Sequence, residues 1–236
     1  MTIRAQVPVI PWVLRSGYEA VAEHLLETYF GLGDSGEPYT GAHFETFGRR
    51  WDDPGCLNVI TAEDLLAVSM LSVDVPARAS IDLLGSAGKH ATELLAEIPP
   101  DIDLVDAGDD LIGPDSAASK LWAALRKYKG VGRTKTSKII ARKRPRLVPV
   151  FDSVVEHELQ LDGSVGHWAG MRDALRADDR ALHERAIRLR DSVGIDPIVA
   201  PIRVLDVVIW MHGQDHARSK VWAQEHGLEV PANADM

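Results

Sequence analysis

Apolar residues recur at helical spacing along most of the chain. In Ser16–Gly31, Tyr18, Val21, Leu25, Leu26 and Tyr29 share one face, with Ser16 placed to cap it. The stretch TAEDLLAVSMLSV opens on Thr61 with Asp64 three residues later, close to a capping box although Asp stands where Glu or Gln is usual. Its interior (Leu65, Leu66, Val68, Met70, Leu71) is apolar nearly all round, which predicts a helix buried in the middle of the fold. ASIDLLGSAGKHATELLAEIPP reads as a helix, a glycine break and a second short helix stopped by two prolines. DIDLVDAGDDLIG is irregular or short helical. Ser116 can cap AASKLWAALRKY, where Leu121, Leu125 and Tyr128 share a face. A Gly-Val-Gly turn follows, then a helix over RTKTSKIIARK that stops near Pro145, then a third helix over DSVVEHELQL with Asp152 at its start.

Further on, DDRALHERAIRLRDSVG is amphipathic and IRVLDVVIWMHG is so apolar that it must be buried. The last residues, EVPANADM, look frayed. No clean alternating strand, repeat or low-complexity tract is present. The predicted fold class is all-α.

Composition narrows the class. The 236 residues, 45% hydrophobic and 26% charged, suit one large domain or two small lobes of a soluble protein. No apolar run reaches the roughly 18 residues of a membrane helix. The start of the chain lacks a signal-peptide core, so a cytoplasmic location and no membrane partner are expected. The single cysteine, Cys56, can form no internal disulfide and cannot hold an iron–sulfur cluster.

Charge changes the picture more. The net charge is −9, yet eleven basic residues and no acidic one lie between Lys120 and Arg146. That leaves fifteen basic against thirty-five acidic residues elsewhere, a net of −20. Such asymmetry points to a polyanionic partner, against the plainer reading of a solvated helix face.

The turn at the centre of this run has a physical use. Gly130 and Gly132 let the backbone reverse and leave no side chain over the amides. The following helix then presents open N–H groups and the positive end of its dipole, a site for phosphate that reads no base. Lys129, Arg133, Lys135 and Lys138 add Coulomb attraction, and Val131 and Thr134 complete the candidate contact set, Lys129–Lys135 with Lys138. Asp152, at a helix start, is read two ways: as a cap, or as a cap whose carboxylate also stabilises positive charge on a sugar or activates water.

KGVGRTKTSKII resembles the helix-hairpin-helix of the DNA glycosylase superfamily that includes endonuclease III and the adenine glycosylases. PRLVPVFDSVV is similar to the segment that ends in that family's catalytic aspartate, with Asp152 at that position and no gap from the hairpin. DLLAVSMLSVDV resembles the family's buried helix carrying a DNA-probing residue. The run ARKRPRLVPVFD also resembles an actinobacterial family of unassigned function. The resemblance covers roughly 50 residues. It implies a two-lobed helical fold, with a central lobe over 57–143 ending in the hairpin and residues 1–56 and 144–236 joining as the second lobe. It implies double-stranded DNA, held by its phosphate backbone, as partner, and Asp152 as the catalytic residue of a monofunctional base-excising enzyme. The sequence departs from the family pattern at four points. Thr134 stands where bifunctional members carry a lyase lysine, with Lys135 one position on. Asp74 stands at the probe position. No carboxylate lies between Leu65 and Val73, where the adenine glycosylases keep a glutamate. Tyr128-Lys129 replaces the usual Leu-Pro. Two other readings stay open: a DNA-binding module without chemistry, and a protein-interaction module with a basic face.

Other residue groups carry less. His212 and His216 are spaced to share a helix face, but zinc needs at least one more ligand and Gly213 weakens the helix, so no metal site and no cofactor are assigned. His157 and His167 are read as surface or packing residues. Trp122 and Trp210 are read as core. Tyr39, Gly41, His43 and Phe44 are read as packing, with a pocket lining as the alternative.

Overall fold

A computed structural model of the chain describes residues 6–48, 53–164 and 166–231. The frayed end expected at 232–236 lies outside them. Eleven α-helices follow in order: α1 (Glu19–Phe30), α2 (Ala62–Ser69), α3 (Ala77–Leu84), α4 (Lys89–Ala96), α5 (Asp109–Ile112), α6 (Ala117–Leu125), α7 (Arg133–Lys143), α8 (Ser153–Glu158), α9 (His167–Val193), α10 (Pro201–Gln214) and α11 (His216–Glu225). Short 3-10 turns link several of them, and no strand occurs among the described residues, so the class is all-α. None of these helices is long and apolar enough to cross a membrane.

Local chemistry sets most boundaries. Thr61 and Asp64 form a reciprocal capping box at the start of α2, with the Thr61 amide donating to Asp64 Oδ2 at 3.0 Å. Ser116 caps α6 by accepting from the Ser119 amide, and Asp152 caps α8. Pro201 begins α10, where its missing N–H costs nothing. Gly31 and Gly194 end α1 and α9 in the left-handed conformation.

Three expectations need correction. Ser16 does not cap α1; the N-cap position is Tyr18 and no side chain fills it. The helix after Thr61 is not buried all round. It stops at Ser69 and Leu66 stays 52% exposed, so it lies on the surface with Leu65, Ala67 and Val68 inward. The amphipathic segment after Asp178 is the second half of a longer helix that begins at His167 and leaves helical geometry at Ala177–Arg180.

Packing joins the helices around a continuous hydrophobic core. Helices α1, α8, α9 and α11 gather about α10, whose Val204, Leu205, Val207 and Val208 are fully buried. Helix α7 packs on α2 and α6, and α6 on α4 and α5.

The C-terminal end of α7 is driven into the protein. Arg142, Lys143 and Arg144 are all buried, which corrects the view of the basic run as a solvated or phosphate-facing strip. Arg142 Nε lies 3.1 Å from Asp64 Oδ1 and Lys143 Nζ 2.8 Å from Asp64 Oδ2. Arg142 also donates to the carbonyls of Phe44 and Phe47, and Lys143 to that of Cys56. Arg144 has no carboxylate partner among the described residues. It donates to the carbonyls of Ile98, Leu57, Lys143 and Leu95 and to Asn58 Oδ1. Burial lowers its pKa to about 10, and burial also lowers that of Lys143, against the pull of Asp64.

His167 is likewise inside. Neither ring nitrogen has a hydrogen-bond partner, the ring packs on Phe151 with centroids 4.9 Å apart, and desolvation lowers its pKa to about 3.

Two stability outcomes follow from these sites. Asp64→Asn removes a buried carboxylate that pairs with both Arg142 and Lys143, and urea titration is expected to read a loss of about 3–5 kcal/mol; a loss below about 1 kcal/mol would mean the carbonyls suffice. For His167, the ring is neutral in both states above pH 6.5. Between 6.5 and about 3 the unfolded chain binds a proton that the fold refuses, so stability falls as pH falls. Between pH 7 and 5 wild type should lose about 2 kcal/mol more than His167→Leu, and parallel urea curves at the two pH values would contradict this.

Candidate functional site

Helix α7 runs from surface to core. Its N-cap is Gly132, with no side-chain cap, and the first intrahelical bond is Thr136 N–H to Gly132 O. The amides of Arg133, Thr134 and Lys135 precede that bond and open at the helix end. Gly130 holds φ +81°, and a Cβ there would meet Pro76 Cγ at 2.8 Å, so the turn needs glycine at this place. Gly132 has open space around it. Tyr128 anchors the turn by donating to the Ala87 carbonyl at 3.2 Å.

The basic residues divide. Lys120, Arg126, Lys127 and Lys129 are exposed. Lys135 is half-buried and folds back to donate to the Gly130 carbonyl at 2.9 Å. Arg133 is exposed, but its Nη2 pairs with Glu156 Oε2 at 2.5 Å and its guanidinium lies over the Phe151 ring. Val131 is buried and Thr134 half-buried. Lys138 points inward: it is 4% exposed, and its Nζ donates to the Leu71 carbonyl at 2.8 Å and to Asp152 Oδ2 at 3.3 Å. Burial lowers its pKa, and Asp152 opposes that. Lys138 therefore joins Asp152, and not the open end of α7.

Asp152 is 9% exposed. Its Oδ1 accepts from the Val154 and Val155 amides, both at 3.1 Å, so the capping role is present. Its Oδ2 faces Lys138 at the edge of a cleft. The cleft is lined by Tyr39, Thr40 and Gly41 on one side, Leu71 and Ser72 on another, and Arg203, Asp206 and Trp210 of α10. Its volume is about 50 Å³, room for a water or two. Ser72 holds φ +61°, a left-handed conformation uncommon for serine.

Asp206 has the opposite environment to Asp152. It is buried, its Oδ2 accepts from the Val150 amide at 2.8 Å, and burial raises its pKa to about 8 against the pull of Arg203; nearby Asp152 raises it further. Arg203 is committed elsewhere, with Nε donating to Glu45 Oε1 at 2.9 Å and Nη2 to the Tyr29 hydroxyl at 2.7 Å. Gly41 passes so close to Tyr29 that a Cβ would lie 2.1 Å from its hydroxyl.

Tyr39 and Gly41 thus line the cleft, the alternative the sequence left open, while Phe44 is core beneath Arg142 and Arg203. Trp210 is a cleft residue and only partly buried; Trp122 is half-buried against Trp168. Asp74 is exposed and does not line the cleft. Sequence reasoning passed over Arg203 and Asp206. Their signal was present: two charged residues three apart inside an apolar helix share a face, and a buried helix keeps such residues only with partners.

The capping role of Asp152 has a direct measure. Asp152→Ala is expected to cost about 0.5–2 kcal/mol, and Asp152→Asn much less, because Asn still accepts from the two amides. Equal losses in thermal melts would show that the Lys138 contact, not the cap, carries the stability.

Comparison with known proteins matches residues 22–213 to the model of a family described as a family of unknown function, DUF6308. Neither a curated protein nor a solved structure matches the chain.

Proposed function

With most of its length inside that family model, the chain belongs to DUF6308, and we propose that it binds duplex DNA through the α6–α7 turn and hydrolyses an N-glycosidic bond in the adjoining cleft. In this reading the turn is a helix-hairpin-helix, and α2–α7 and the remaining helices are the two lobes of a glycosylase-like fold. The observation that carries it is the pairing of Asp152 and Asp206 in one cleft, with unlike environments. Two carboxyl groups in unlike surroundings are what glycosidic hydrolysis uses.

The turn leads into α7, and Lys138 of that helix reaches the cleft. From Arg133 to Lys138 the rise along α7 is about 7.5 Å, so a phosphate at the open amides would lie near the cleft mouth. The exposed Lys120, Arg126, Lys127 and Lys129 supply attraction. In the cleft the neutral Asp206 carboxyl would donate its proton to the departing base. The Asp152 carboxylate, held by Lys138 and two amides, would stabilise the positive sugar and take a proton from the incoming water. Water is thereby added across the sugar–base bond. A flipped base does not fit in about 50 Å³, so the Tyr39–Gly41 and Leu71–Ser72 edges must part on binding. That small volume is also what favours the second reading, a DNA-binding protein without chemistry.

Binding to labelled duplex should be sequence-independent, with log K falling against log salt at a slope of about −3 to −4 if three or four charges meet phosphates. Gly132→Val, which covers the amides without strain at Gly130, should abolish it while the fold survives. No binding at low salt would favour a protein partner. Duplexes carrying uracil, oxidised purines, alkylated bases and mismatches, followed by alkaline cleavage, test the chemistry. Release should disappear in Asp152→Asn and Asp206→Asn, and in wild type should decline as pH rises through about 8, where Asp206 loses its proton. No release from any duplex would leave the non-catalytic reading. Borohydride on abasic DNA should trap no adduct, since Thr134 has no amine and the Lys138 ammonium is already paired; an adduct lost in Lys138→Met would make the enzyme a lyase.

A further inference from the structure

Helix α8 begins at the cleft with Asp152 and ends, about 9 Å further along its axis, with Glu158. There it meets the junction of α10 and α11. His212 lies in the last turn of α10 and His216 opens α11, with Asp215 between the helices capping the second by accepting from the Arg218 amide. The two histidines do not share one helix face, as their spacing suggested. The break at Asp215 folds them together, with ring centroids 4.6 Å apart. Gly213 also has a different meaning from a mere weakness in the helix. A Cβ there would lie 2.6 Å from Val154 Cγ1 and 2.7 Å from Glu158 Cγ, so only glycine lets α10 approach α8 closely enough for Glu158 to reach the histidines.

We propose that Glu158, His212 and His216 bind one divalent transition-metal ion, with zinc as the best match. Their ligand atoms all lie within 4.8 Å of one another. Glu158 Oε1 is 2.9 Å from His216 Nε2, and Glu158 Oε2 is 4.0 Å from His212 Nε2. Donors around a tetrahedral zinc with bonds of about 2.0–2.1 Å stand about 3.3 Å apart, so these separations bracket the required value and small side-chain rotations suffice.

The donor set is that of an open zinc site, two imidazoles and a carboxylate with a position left for water. The outer contacts suit it too. His212 Nδ1 lies 3.0 Å from the hydroxyl of the fully buried Ser219, which fixes the ring and turns Nε2 toward Glu158. Trp12 closes one side edge-on to His212, at 5.5 Å between centroids. His212 is buried, and Glu158 and His216 are only partly so, which leaves an entry path.

An ion here would tie α8, which Asp152 caps, to α10, which carries Asp206. The proposal stands on this geometry alone and does not need the DNA reading.

Isothermal titration of the chelator-stripped full-length chain with zinc chloride tests it. One high-affinity equivalent is expected. His216→Ala and Glu158→Gln, both able to keep the fold because one side chain is half-exposed and the other nearly isosteric, should weaken it by at least about 100-fold, and Ser219→Ala by about 10–100-fold through the lost orientation of His212. His90→Ala, at an exposed site distant in sequence, should change nothing. Cobalt in place of zinc should give the intense visible bands of a four- or five-coordinate ion in wild type and lose them in His216→Ala. Absence of a stoichiometric equivalent, or its survival unchanged in both ligand variants, would overturn the assignment.

Discussion

The carboxylate of Asp64 pairs with two buried cations, Arg142 and Lys143, and much of the fold is arranged to satisfy the rest of their donors. Arg142 and Lys143 each pair with that carboxylate, and Arg144 beside them finds carbonyls and one amide oxygen among the described residues. Bringing three cations out of water is costly unless every donor is satisfied. The remaining donors are met by backbone carbonyls at Phe44, Phe47, Cys56, Leu57, Leu95 and Ile98. Those carbonyls belong to the segment before α2 and to the end of α4. The cationic end of α7 is therefore a knot that gathers irregular chain. Asp64 takes part in it while also closing the capping box of α2, so the start of α2 and the end of α7 are held by one side chain.

Because its C-terminal end is fixed in this way, α7 has a fixed direction. Its N-terminal amides open at the Gly-Val-Gly turn, and its middle delivers Lys138 to Asp152. Helices α8 and α10 complete the cleft. The separation of Asp152 from Asp206 in character has a plain cause. Asp152 meets two amides and an ammonium at a helix N-terminus, whereas Asp206 lies in the core with one amide donor and an arginine already engaged by Glu45 and Tyr29. Close backbone approaches at Gly41 and Gly213 bring the neighbouring segments into place. The same α8–α10 contact that frames the cleft at one end gathers Glu158, His212 and His216 at the other.

Local order was legible in the sequence, because it rests on interactions over three or four residues. The Thr61–Asp64 box, the Ser116 and Asp152 caps, the glycine break between α3 and α4 and the apolar face of α10 all depend on neighbours along the chain, and each appears where the pattern placed it. The all-helical class follows from the same periodicity. What periodicity could not supply was depth. Leu66 reads as core and is exposed; His167 reads as either surface or packing, and the structure makes it packing, buried against Phe151 without a hydrogen-bond partner.

The charges mark the boundary most sharply. A sequence counts eleven cations between Lys120 and Arg146, but whether each faces water depends on carbonyls and a carboxylate as many as about a hundred residues away in the chain. Asp206 and Glu158 could be named from the sequence only as charged residues in helices. Their roles arise from partners on other helices, Val150 and Arg203 for one, His212 and His216 for the other. Sequence determined the all-helical class and the starts that side-chain caps fix, at Thr61, Ser116 and Asp152, since those caps are local; only the tertiary structure decided how far the other helices run, which charges are spent inside and which carboxylates meet, since burial and pairing are long-range.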